Sequence, residues 1–284
     1  MTALEHSQWT GKTDGTPFMQ RALIWLIRHT SIRIPYAIMA LVVLFYMLFH
    51  HKGYLAIYRF MRQRMGYKPV KAFFNVYLNH YTFGKVVIDR FAAFAGRKFE
   101  FVNEGERLFD ELSSKEEPFM LLSSHVGCYE MSGYMNNLTK KRLNALVYAG
   151  ESDTVMRHRD EIFTKHNINM ILVSADMSHL FEMNAALNRG EIVSMPADRM
   201  FGSRKSVSCD FFGSKANFPT GAYSLAKSKN ARIIAVFVMK EKTYAYRILV
   251  REVNSAQEYA DALESVVRQY PLQWFNYFDF WNEQ

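Results

Sequence analysis

The chain has 284 residues, enough for one large domain or two small ones around a substantial apolar core. At 49% hydrophobic and 22% charged it is neither a disordered chain nor a bundle of membrane spans, and its two cysteines, Cys128 and Cys209, exclude a disulfide scaffold or a four-cysteine zinc site. The formal charge of +8 suits anionic partners, while 15% aromatic residues and 16 methionines leave much apolar surface to place in a core or against lipid.

Residues 1–20 are polar and read as a loose arm. Gly11-Lys12-Thr13 mimics the end of a phosphate loop, but His6 stands where its first glycine is needed. Residues 21–95 read as aromatic-rich helices that anchor the chain to a membrane. Within them the segment 34–49 (IPYAIMALVVLFYMLF) runs for sixteen residues without a charge, short of the ~20 of a comfortable span. It fits a short single span, a helix lying in one leaflet, or a buried core helix. Arg21, Arg28 and Arg33 precede it, and a denser basic group from His50 to Lys71 follows, which places the C-terminal part in the cytoplasm.

From Phe99 the texture changes to seven β-rich runs, at 99–103, 119–123, 144–148, 170–173, 192–195, 233–239 and 246–253. Most are separated by helix-length stretches. The pattern predicts an α/β fold for 96–284: a mostly parallel central sheet with helices on both faces. Ligands of such sheets sit beyond the carboxyl ends of the strands, so the residues just after each run are the candidates.

His125 follows the second run, and Glu130 stands five residues later. The two can meet if His125 lies in a strand-to-helix turn, which Gly127 favours, and Glu130 in the first helical turn. The carboxylate would then fix the imidazole tautomer, half of a general-base apparatus. A capped helix with a hydrogen-bonded core histidine fits the same spacing. Asp198 and Arg199 follow the fifth run, where they can orient a substrate and bind an anion, or form a helix cap and a local ion pair. Arg157, His158 and Arg159 form a charge cluster that a solvated helix face explains. Phe211 and Phe212 lead into a Gly- and Pro-containing loop that either walls the crevice or simply turns the chain, with Thr220 placed to cap the next helix. The chain has no GxSxG nucleophile elbow, no HExxH, no GxGxxG after a strand and no nucleic-acid module.

Taken in order, HVGCYE (125–130), the Arg-bearing segment 157–159, PADR (196–199), DFFGSKANFPTGAYSLAKSKNARIIAVFV (210–238) and YPLQWFNYFDFW (270–281) resemble the bacterial lipid A biosynthesis acyltransferase family. These are the late acyltransferases of lipopolysaccharide assembly, within the wider lysophospholipid acyltransferase group. The resemblance covers most of the chain from about residue 99. The HX4E spacing is a modest signal, whereas the FFG…PTG…LA block with the PxQW tail is more specific. Cys128 and Tyr129 stand where Asn-Trp is common, Arg199 replaces a commoner Gln, and the tail lacks a frequent terminal basic pair.

The resemblance implies a membrane-bound acyltransferase on the cytoplasmic face of the bacterial inner membrane. It would move a fatty acyl chain from acyl carrier protein or acyl-CoA to a hydroxyl or amine of a lipid acceptor, without cofactor or metal. By the same resemblance His125 is the general base and Glu130 orients it. Arg157 or Arg159 stabilises the oxyanion or the donor phosphopantetheine. Asp198 either backs a substrate-contacting residue or positions the acceptor, and Arg199, Phe211 and Phe212 lie with it on the substrate side. An acyltransferase for a different lipid or polyene acceptor, a lipid hydrolase using the same histidine, and a non-catalytic lipid-binding protein on the same fold are the rival expectations.

Overall fold

The computed structural model describes residues 16–49, 51–134, 141–148, 150, 153–174, 176–200 and 205–282. The polar run 9–15 lies outside them. Helix α1 (Pro17–His29) begins inside the expected arm, because Thr16 caps it: its hydroxyl accepts from Met19 N at 3.3 Å and Pro17 takes the first helical position. Helix α2 (Arg33–Phe49), helix α3 (His51–Arg59) with a π-helical turn at Phe60–Arg64, and helix α4 (Pro69–Phe94) follow. Ile24 and Ile27 of α1, Tyr36 of α2 and Ile88 and Phe91 of α4 close a core of their own. Gly84 lets α2 approach α4, since a side chain there would collide with Met39.

Among the described residues no single helix is long and apolar enough to cross a membrane. The core-helix alternative for 34–49 is nevertheless overturned. Leu41, Phe45, Leu48 and Phe49 of α2 are 62%, 63%, 64% and 76% exposed, and only Pro35, Tyr36 and Val43 are buried.

The remaining elements are β1 (Glu100–Asn103), α5 (Glu106–Ser114), β2 (Phe119–Ser123), β3 (Leu143–Val147), α6 (Asp153–Lys165), β4 (Ile168–Leu172), α7 (Ser178–Asn188), β5 (Ile192–Pro196), β6 (Ser206–Phe211), β7 (Ser214–Pro219), α8 (Gly221–Ser228), β8 (Arg232–Lys242), β9 (Ala245–Glu252) and α9 (Ala256–Gln269). A seven-stranded sheet runs β1-β9-β8-β2-β5-β3-β4, parallel at every pairing except the β8–β9 hairpin. All seven runs expected from the sequence are strands of this sheet. Alternation sorts their side chains between two cores. Phe119, Leu121, Ile234 and Val236 face Phe109 and Leu112 of α5, whereas Met120, Leu122, Ala235 and Phe237 face α7, α8 and α9.

The segment 210–219 is not a loop but half of a second, antiparallel sheet formed by β6 and β7. Its turn places Phe212 at φ 51° and Gly213 at φ 71°, the pair of positive φ values that a two-residue type I′ turn needs. An aromatic in the position usually held by Asn or Asp hid that turn. Thr220 makes no side-chain cap; its hydroxyl donates instead to Lys205 O at 3.3 Å.

A buried polar knot fastens the N-terminal helices to the sheet. Asp89 of α4, fully buried, accepts from the hydroxyls of Tyr36 (α2) and Tyr246 (β9) and pairs with Lys240 (β8). Burial, then the neighbouring carboxylate, holds both phenols well above their ordinary range.

Candidate active site

Strands β2 and β5 are parallel neighbours in which Ser123 stands opposite Pro196. Continuing that register by two residues brings His125 opposite Asp198. The Asp198 carboxylate grips the histidine twice. Its Oδ1 accepts from the ring Nδ1–H at 2.9 Å and its Oδ2 from the backbone N–H at 2.8 Å. Because a carboxylate only accepts, Nδ1 carries the proton and Nε2 keeps its lone pair. The imidazole is 25% exposed while the Asp198 side chain is 1% exposed, so the pair presents a ring edge outward and a charge inward.

The electrostatics follow from this placement. Burial favours a neutral Asp198, but the histidine ring, the two hydrogen bonds and Arg199 outweigh it and hold the carboxyl below its usual range. Burial and then Arg199 pull His125 below the ordinary 6.5, against the opposing pull of Asp198. A ring that is neutral at neutral pH, with a free Nε2, is poised to accept a proton.

The His125 loop is stapled from both sides. Gly127 N donates to Gln273 O at 2.8 Å, Cys128 N to Val238 O at 2.8 Å, and Phe275 N to His125 O at 3.0 Å. Gly127 lies at φ 64°, and a side chain there would collide with the Val238 carbonyl. Gly127→Ala is therefore expected to displace the loop, abolishing catalysis and lowering the thermal midpoint by several degrees, as the strain alone costs about 1–3 kcal/mol. Activity assay with circular dichroism melting checks both.

The expected pairing of Glu130 with His125 is corrected. Glu130 belongs to a 3-10 turn at Tyr129–Tyr134 and faces α4 and α6. Its carboxylate is ion-paired with Arg90 Nε at 2.8 Å and Arg159 Nη2 at 2.9 Å. His125 Nδ1 is already occupied by Asp198, and two guanidiniums compensate the Glu130 charge better than a neutral ring would. Asp198, expected to back a substrate-contacting residue or to position the acceptor, is the carboxylate that pairs with His125.

The arginine pair separates as well. Arg157 is exposed on α6, as a solvated helix face predicts, whereas Arg159 is 3% exposed and lines the same cavity as His125. Arg199 also lines it and donates through Nη2 to Phe275 O at 3.0 Å. Phe211 and Phe212 do not line it. They are buried with Phe60, Trp274 and Trp281, Phe60 and Trp274 standing 4.5 Å apart, in an aromatic core that seats the tail. Arg90 was not apparent from sequence reasoning. Its one signal is the Asp89-Arg90 dyad inside the otherwise apolar stretch 86–94.

The cavity measures about 2390 Å³, well beyond the ~300–1,000 Å³ of a drug-sized pocket. His125, Glu130, Arg159 and Arg199 form a polar wall, and Phe109, Leu121, Val236 and Ile248 are among the apolar residues around it. Burial pushes the Cys128 thiol up to about 12, so it stays protonated and offers no thiolate nucleophile.

The family model described as bacterial lipid A biosynthesis acyltransferase matches residues 95–281. The chain belongs to this family. It is an acyltransferase, and the matched span carries His125, Glu130, Arg159, Asp198 and Arg199, while Arg90 lies before it. No curated protein matches the chain. Among solved structures, the chain is similar to the crystal structure of PlsC, the 1-acyl-sn-glycerophosphate (LPA) acyltransferase from Thermotoga maritima. Identity is 14% and the TM-score 0.35, with 89% of this chain and 96% of that one covered.

Proposed function

We propose that this member of the family transfers a fatty acyl chain from an acyl thioester to a hydroxyl or amine of a lipid acceptor, with His125 as general base. The hydrogen bond from His125 Nδ1 to the buried Asp198 carboxylate, at the wall of a largely apolar cavity, carries the reading. Nε2 takes the proton from the acceptor as its oxygen or nitrogen attacks the thioester carbonyl. Asp198 stabilises the imidazolium that forms, and the proton then leaves with the thiolate. No acyl-enzyme is needed.

The backbone N–H groups of His125, Gly127 and Cys128 are all engaged within the protein. The cationic wall of the cavity is our candidate to meet the developing oxyanion. Arg159, set in place by Glu130 on the cavity wall, is the better candidate of the two α6 arginines. The apolar residues of the cavity would hold the acyl chain.

The same reading puts the protein on the cytoplasmic face of the bacterial inner membrane. The exposed apolar side chains of α2, together with Phe18 and Trp25 of α1 and Val70, Phe73 and Phe74 of α4, support a membrane contact. The charge of +8 supports an acidic donor, and acyl carrier protein is our choice over acyl-CoA.

The test uses the full chain in detergent micelles, an acyl carrier protein thioester and a bacterial lipid extract. His125→Ala is expected to lose about 10²-fold or more in turnover. Near-normal transfer by this variant would refute the mechanism, and release of free fatty acid without an acylated lipid would assign a hydrolase.

A further inference from the structure

Among the buried side-chain atoms without a hydrogen-bond partner are three that belong to His80, Tyr277 and Arg199, cavity-lining residues outside the His125–Asp198 pair. His80 of α4 is 4% exposed, and its Nδ1 lies 2.8 Å from Val76 O. A carbonyl only accepts, so Nδ1 carries the proton and the unpartnered Nε2 is a bare acceptor. Burial keeps this ring neutral by lowering its basicity. The ring of Tyr277 stands 4.8 Å from that of His80, and its buried hydroxyl is also unpartnered. Arg199 supplies the third atom, a buried Nε–H without an acceptor. All three residues line the cavity that His125 lines. Tyr277 lies two residues beyond Phe275, whose N–H holds the His125 carbonyl.

Buried polar groups left unsatisfied are costly, so a site that keeps three of them is complementary to something it binds. The donor–acceptor pattern narrows the ligand. His80 Nε2 only accepts, Arg199 Nε–H only donates, and the Tyr277 hydroxyl does either. A phosphate or carboxylate would press oxygen lone pairs against the His80 lone pair, and an ammonium would meet the Arg199 cation. Hydroxyls, which both donate and accept, satisfy all three.

We infer that His80, Tyr277 and Arg199 form a subsite for the neutral, hydroxylated part of the lipid acceptor's headgroup. The acceptor is favoured over the donor by the position of His80 on α4. That helix exposes Val70, Phe73, Phe74 and Leu78 just before it, the kind of apolar ramp along which a lipid would enter. His80 and Tyr277 act as positioning residues, and the inference rests on the acyl-transfer reading above.

The experiment compares the full chain with His80→Phe, Tyr277→Phe and His80→Gln in detergent micelles. A bacterial lipid extract is varied at saturating acyl carrier protein thioester, and then the thioester at saturating lipid. His80→Phe keeps the ring contact and Tyr277→Phe removes one oxygen. Each is expected to raise the half-saturating lipid concentration about three- to tenfold, with turnover and donor half-saturation within about twofold. His80→Gln, whose amide oxygen still accepts, is expected to stay near the unmodified value. An unchanged lipid half-saturation in both Phe variants overturns the inference. A shift in donor half-saturation instead would assign the subsite to the amides of the pantetheine arm and overturn it as well. Absence of any acyl transfer by the unmodified chain would strike at the acyltransferase mechanism itself, a separate signature.

Discussion

Asp198→Asn is expected to reduce turnover by about 10²-fold or more while the protein stays folded, because the isosteric amide removes the charge that stabilises the His125 imidazolium. The pH profile gives the sharper reading. On the proposed mechanism the base must be neutral, so activity falls as pH drops through the His125 pKa, and that acid limb should lie below the ordinary 6.5 in the unmodified enzyme. Asp198 raises the His125 pKa and Arg199 lowers it. Asp198→Asn should therefore move the limb to still lower pH, and Arg199→Met should move it up. The two displacements have opposite signs, which a general loss of folding does not produce. If Glu130→Gln moved the limb further than Asp198→Asn, the pairing drawn here would be wrong.

Asp89→Ala is expected to be the most destabilising single change. It leaves the Lys240 ammonium buried without its carboxylate and two phenol hydroxyls without their acceptor. Breaking a buried pair from one side costs about 3–5 kcal/mol, and the thermal midpoint of a chain this size should fall by roughly 10 °C. The double variant Asp89→Ala with Lys240→Met should recover much of the loss, since removing both charges ends the penalty of an unpaired one. Equal melting of the single and double variants would show that the knot is not held by charge. Amide exchange should report α2 loosening first in the single variant, as Tyr36 is its hydrogen bond into the knot.

The sheet was legible because its strands are short, β-rich and bounded by helix-length segments, and hydrophobic alternation is a local property. Strand order is not local. Nothing in the sequence says that 119–123 lies beside 192–196, and that adjacency is what brings Asp198 to His125. Within HX4E the nearest carboxylate in sequence was the natural partner for the histidine. The nearest in space arrives from 73 residues away. Arg90 was silent for the same reason: a helical arginine acquires meaning only once the helix is docked against Glu130. The β6–β7 hairpin was missed on local chemistry, because Phe212 adopts a left-handed backbone that sequence patterns reserve for Asn, Asp and Gly. Helix α2 was recognised as apolar, but periodicity alone did not reveal that its apolar side chains face outward rather than into a core.

The staples from Gln273 and Phe275 to the His125 loop have a consequence for biogenesis. On the ribosome, α1 to α4 emerge while the stretch that completes the loop has yet to be translated. Until the nascent polypeptide is synthesised through Phe275, the Gln273 acceptor and the Phe275 donor for that loop do not exist. On the proposed membrane contact, attachment would thus precede competence, and a half-made chain would sit on lipid without acting on it.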